Sequence, residues 1–143
     1  IPMLEVSTLY GMALQVITMT PNPERYLFCP MLDARRMEVY TCLLTHDLQE
    51  VDPISPVVLD EHTFEARLKE RPIIFFGSGA AKFKSVVSAE GKALFIDGVQ
   101  PSARTIGALA LQKFEQNKFE DVAYYEPFYL KDVYITGASK SAK

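Results

Sequence analysis

Histidine and cysteine, on which most metal and thiol chemistry rests, are scarce in this sequence: there are two of each in 143 residues. His46 and His62 stand sixteen positions apart, one in a loop and one in the first turn of a helix, and lack the same-face spacing of a motif such as HExxH. No metal site is expected from them. Cys29 and Cys42 form no CxxC and fall on what read as adjacent strands. A bridge is geometrically open if their α-carbons come within ~7 Å, but both are expected as reduced, half-buried thiols that act as small apolar groups. A GxSxG segment is missing too, and neither histidine bears an obvious base relationship to a serine.

Positive charge is not in excess. Fifteen Lys and Arg against eighteen Asp and Glu give a net charge of −3, so no global field would collect phosphates, and autonomous binding to nucleic acid is disfavoured. No apolar run approaches the ~20 residues that span a bilayer and no charged-then-apolar leader opens the chain, so no membrane contact and a cytoplasmic place are expected. An initiator methionine is absent as well. Ile1 to Val6 already reads as a strand, and the chain is expected to begin inside a larger protein. Neither an internal repeat nor a low-complexity tract is found.

What is present is enough apolar residue, 48%, to bury one sizeable core. Ser7 can cap a helix running to Thr20, where Leu9, Met12, Ala13, Val16 and Ile17 recur at helical spacing until Pro21-Asn22-Pro23 forbids continuation. Arg25 to Leu32 and Glu38 to Thr45 read as a two-stranded hairpin, apolar on both faces and so covered on both sides. Pro30 suggests an edge or a bulge. His46 to Val58, with Pro53 and Pro56, reads as a loop or short irregular strand, followed by a helix capped by Asp60, stapled by Leu59 and Phe64 and stopped by Pro72. Then strand and helix alternate: Ile73 to Phe76, Ser78 to Val87, Ala93 to Ile96, and Ser102 to about Asn117, which implies an α/β sheet. The last helix is expected to bury Ile106, Leu109, Ala110 and Phe114, with Gly107 marking close packing. The small, polar end from Gly137 to Lys143 is expected to fray.

Three features invite a chemical reading. Asp33, Glu38 and Asp97 are the acids that a two-metal nuclease would need, but Asp33 and Glu38 flank one turn, where carboxylates ordinarily serve the local backbone. Gly77-Ser78-Gly79-Ala80 follows a strand and opens a helix, a place where amides can hold a phosphate, although glycines there usually only permit the reversal. Tyr124, Tyr125, Phe128 and Tyr129 could stack bases, yet without interleaved basic residues they read as packing of the tail onto the sheet.

Five segments in order carry a resemblance. IPMLEVSTLYGMA, MLDARRMEVYTCL with its DARxxEVY pattern, FFGSGA, PSARTIGALA and EPFYLKDV are similar to the carboxy-terminal two-thirds of the bacterial TsaB (YeaZ) family, over nearly all of Ile1 to Thr136. The resemblance implies an actin-like ATPase, ribonuclease H-like α/β fold. Residues 1–20 would be a remnant of the first lobe, 21–136 the second lobe and 137–143 a flexible tail. It also implies a non-catalytic platform, an inactive relative of metal-dependent glycoproteases. Such a subunit acts in threonylcarbamoyladenosine modification of tRNA through the catalytic partner TsaD, with the ATPase TsaE joining and tRNA touched only indirectly. No cofactor is expected in these residues, since nucleotide binding would need the missing first lobe.

The residues named by this likeness for an interlobe or partner contact are Asp33, Arg35, Glu38 and Tyr40 of the hairpin, Gly77, Ser78 and Gly79 of the glycine turn, and Tyr129 and Lys131 of the tail motif. The bland alternative for the hairpin is a self-satisfied turn in which Arg35 pairs with a local carboxylate. Lys131 stands where the family usually has arginine, which keeps charge but loses the planar fork. The family's opening strands and GxGSFTGxR motif have no counterpart. Because the family grips its partner mainly through first-lobe helices, this segment is expected to bind TsaD weakly or not at all and to self-associate. Two rivals remain: a glycoprotease-like peptidase, which would need an HxxxH pair that is absent, and a sugar kinase or ATPase of the same fold, which would need phosphate loops from both lobes.

Overall fold

The computed structural model describes residues 6–88 and 91–118. Its elements in order are α1 (Thr8–Met19), a 3-10 turn (Pro23–Arg25), β1 (Leu27–Asp33), β2 (Glu38–Leu44), β3 (Glu50–Val58), α2 (Glu65–Glu70), β4 (Ile73–Phe76), α3 (Ala80–Lys84), β5 (Ala93–Ile96) and α4 (Ala103–Glu115). The strands form one five-stranded mixed sheet in the order β3-β2-β1-β4-β5. β1 pairs antiparallel with β2, and β2 with β3, while β1–β4 and β4–β5 are parallel.

Both faces of the sheet are apolar and both are covered, as the two-faced pattern of the hairpin requires. On one face Leu27, Cys29, Met31, Val39, Leu43, Ile73 and Phe75 meet Leu68 of α2 and Ala80 and Phe83 of α3. Four rings close this side: Phe75 lies 4.7 Å from Phe83, 5.3 Å from Phe95 and 5.5 Å from Phe64, centroid to centroid. On the other face Phe28, Cys42, Leu44, Ile74 and Phe76 meet Leu9, Met12, Ala13 and Val16 of α1. The helix expected from Ser7 to Thr20 therefore forms a full layer, although Ser7 caps it without a side-chain hydrogen bond. The cysteines fall in opposite clusters, so their side chains leave the sheet on opposite sides and cannot be bridged.

Five expectations are corrected. Pro30 lies in the central strand, not at an edge or bulge: the β1–β2 ladder passes from Phe28↔Leu44 to Met31↔Thr41 in one register, and the Thr41 hydroxyl donates to the Pro30 carbonyl at 2.7 Å. The segment expected as a loop or a short irregular strand contains β3, an irregular strand but a long one of nine residues, which tolerates Pro53 and Pro56 because it is an edge strand, with register shifts at Leu43. Asp60 caps a turn and not a helix, accepting from the His62 amide and the Thr63 hydroxyl, and those two donors hold its carboxyl below the usual range. α2 begins only after Phe64, and Arg67 ties it to β3 through Asp52 at 2.9 Å and 3.3 Å. α3 spans five residues, well short of Val87.

The stripe expected to be buried on α4 is not, since the helix packs mainly on α1. None of its residues is buried; Ile106, Leu109 and Ala110 are half-buried, and Phe114 is 54% exposed. Among the described residues nothing lies within 4 Å of where a Cβ on Gly107 would stand. The close approach is at Gly11, where a Cβ would come within 2.7 Å of Ile106 Cδ1. Ser102 does cap α4, accepting from the Arg104 amide at 3.2 Å. The expectations for the strand before Val6 and for the tail after Lys118 lie outside the described residues.

Two outcomes test this core. Thr41→Val keeps the shape but strips the Pro30 carbonyl of its buried donor, and urea unfolding is expected to show a loss of about 1–3 kcal/mol; an unchanged midpoint would mean that the ladder closes without the hydroxyl. Burial also raises both thiol pKa values, that of Cys42 to about 12. The folded state thus keeps protons that the unfolded chain releases above about pH 9. Stability from this source is full below that pH and falls as pH rises through 12. Neither thiol should react with an aromatic disulfide reagent until the protein unfolds.

Candidate functional site

β1 and β4 are parallel neighbours, with Pro30 opposite Phe76, so the chain leaving β4 must turn over the carboxyl end of β1. Gly77 makes that turn at φ +100°, where a Cβ would strike the Met31 carbonyl oxygen and the Met12 Cε. Gly79 follows with its amide on the Met31 carbonyl at 3.1 Å, and a Cβ there would come within 2.6 Å of Val39. The glycine turn thus lies flat against the hairpin. Its Gly79 and Ala80 amides already serve Met31 and Gly77, which takes two of the donors a phosphate would need.

The hairpin turn is held from the same side. The Asp33 amide donates to the Ser78 hydroxyl at 2.8 Å. Lys82, from α3, places its Nζ 3.0 Å from the Ala34 carbonyl and 3.1 Å from the Glu38 carbonyl, and it pairs with the Asp33 carboxylate. Within the turn Ala34 donates to Glu38 and Glu38 to Arg35, both at 3.0 Å, and the Leu59 amide caps the Met37 carbonyl at 2.8 Å.

The structure therefore brings together Asp33, Glu38, Gly77, Ser78 and Gly79 of the residues that the likeness named. The carboxylate's partner is Lys82, however, and not Arg35. Lys82 was missed because its role is tertiary: the only local sign is a lysine in the first turn after the glycine reversal, beside Phe83, which is buried. Arg35 and Arg36 are exposed, and among the described residues neither guanidinium has a hydrogen-bond or ion-pair partner. Tyr40 is half-buried along β2, opposite Leu32 and Pro56, away from the turn. Tyr129 and Lys131 lie outside the described residues.

The remaining candidates stay apart. His46 stands 3.9 Å from Asp47, and His62 lies 3.3 Å from Glu61 and 3.2 Å from Glu65, all on the surface. Among the described residues no three His, Cys, Asp or Glu side chains converge as metal ligands would. A cleft of about 820 Å³, which no sequence signal marked, opens elsewhere, between α1, the β2–β3 turn and α4. There the Tyr10 hydroxyl donates to Glu50 at 2.7 Å, and burial together with that carboxylate raises the phenol pKa.

The sequence matches no family model and no curated protein. Solved structures do match. An uncharacterised protein with similarity to peptidase YeaZ from Pseudomonas aeruginosa aligns with a TM-score of 0.72 at 17% identity, over 91% of this chain and 59% of its own. YeaZ from Pseudomonas aeruginosa aligns with a TM-score of 0.66, also at 17% identity, over 90% of this chain and 59% of its own. The chain thus spans about three-fifths of these neighbours' length. The fold is the ribonuclease H-like, actin-like α/β architecture.

Removing the ammonium tests how much the turn depends on it. Lys82→Met takes a cation from two main-chain carbonyls and a carboxylate, and a loss of about 1–3 kcal/mol is expected in thermal or urea unfolding. Asp33→Ala should cost about 1 kcal/mol or less, because its carboxylate is half exposed and screened while the two carbonyl contacts of Lys82 remain. Equal stability of wild type and Lys82→Met would show that the turn holds itself.

Proposed function

We propose that this protein is a non-catalytic platform for threonylcarbamoyladenosine formation at tRNA position 37. In this reading it activates a TsaD-type catalytic subunit, a TsaE-type ATPase joins the assembly, and tRNA is met only through the partner. The observation that carries the reading is a YeaZ-like fold over 91% of the chain, on which the DARxxEVY motif forms a turn locked to the glycine turn. A turn whose acid is paired with lysine and whose carbonyls are capped is built to keep a shape, which suits a contact surface better than a proton-transfer centre.

The assignment to tRNA modification places the protein in the cytoplasm, and no helix among the described residues is long and apolar enough to cross a membrane. Nucleotide would be bound only together with a first lobe. A peptidase role is less well supported, since among the described residues the histidines have carboxylate neighbours and no serine or cysteine at hydrogen-bond distance.

Depleting the protein in its own cells and measuring modified nucleosides from tRNA by mass spectrometry tests this. Threonylcarbamoyladenosine should fall and return on complementation, and the purified protein alone should form none. An unchanged level on depletion would reject the reading.

A further inference from the structure

Arg35 and Arg36 sit at the tip of the four-residue loop between β1 and β2, whose base is fixed from outside. Lys82 holds Asp33, Ala34 and Glu38, Ser78 holds the Asp33 amide, and Leu59 holds the Met37 carbonyl while Met37 packs inward against the core. With Met37 turned in, the two residues before it are turned out. Arg36 takes a left-handed conformation, φ 53°, which a non-glycine residue keeps only where the surroundings dictate it. The Asp33 carboxylate is occupied by Lys82, and both exposed guanidinium forks are without a partner among the described residues.

We infer that this tip is a preorganised carboxylate-binding knob whose occupant is an acidic surface of the catalytic partner. The inference rests on the platform reading and names the chemistry of one contact within it. A guanidinium matches a carboxylate with two parallel hydrogen bonds, and a fixed turn loses little freedom on docking. The net charge of −3 works against a polyanion such as RNA, whose approach is governed by the field of the whole molecule, more than against a single carboxylate cluster met at short range. The knob guides and orients encounter, while apolar surface elsewhere supplies the lifetime of the complex.

The test compares the full-length wild-type protein with the Arg35→Glu/Arg36→Glu variant against the purified TsaD subunit from the same organism, by stopped-flow association at low and high salt. Unchanged melting temperatures are expected, because neither side chain has a partner to lose among the described residues. The variant's association rate should fall about tenfold at low salt, with the gap closing as salt rises and dissociation little changed. The Arg35→Lys/Arg36→Lys variant should fall between the two. Association of the charge-reversed variant at the wild-type rate and salt slope would overturn the knob and leave the platform reading standing. Loss of tRNA binding with unchanged TsaD association would overturn the carboxylate assignment in favour of phosphate. Failure of the wild type to bind TsaD at all would overturn the platform reading itself, and the knob with it.

Discussion

β1 is hydrogen-bonded along both edges and buried on both faces, and nearly every other feature answers one of those demands. A strand so placed cannot stand with only one layer against it. One face recruits Phe83, Phe64 and Leu68 from the short helices and the turn before α2, and the other recruits α1, whose Met12, Ala13 and Val16 are fully buried. Prolines that would break a central ladder fall on the edge strand β3, and the one that does fall centrally, Pro30, has its carbonyl satisfied by a threonine hydroxyl in the gap.

The same arrangement makes the candidate site. Parallel pairing of β1 with β4 forces the glycine turn over the end of β1, and the helix that follows then presents Lys82 to the hairpin carbonyls. A single ammonium so engaged removes Asp33 as a free acid and stiffens the turn, which leaves the arginines as the outward-facing chemistry. The cleft beside Tyr10 and Glu50 lies elsewhere and shares no residue with this constellation.

Elements with strong periodicity were legible in the sequence: α1, the hairpin and the buried run Ile73–Phe76 stand where the pattern places them. β3 was legible only as one of two alternatives, a loop or a short irregular strand, because its prolines are penalised in a central strand and become acceptable only once it is known to be an edge. The apolar stripe of α4 reads as a core-facing helix, yet it lies against another helix and stays half-exposed, since periodicity reports a buried side and not what buries it. The grouping of Asp33 and Glu38 with Gly77, Ser78 and Gly79 came from resemblance, and the structure gives it a physical cause. Lys82, which does the grouping, carries within its own segment only the weak sign of a lysine after the glycine reversal.

Amide hydrogen exchange at the turn tests the central claim most directly. If Lys82 locks the hairpin, the Asp33, Ala34 and Glu38 amides should be protected to a degree approaching that of β1 and β2. Lys82→Met should then abolish protection at those amides while the Phe75 and Leu43 amides keep theirs. Turn amides that exchange freely in the wild type, or keep their protection in Lys82→Met, would contradict it.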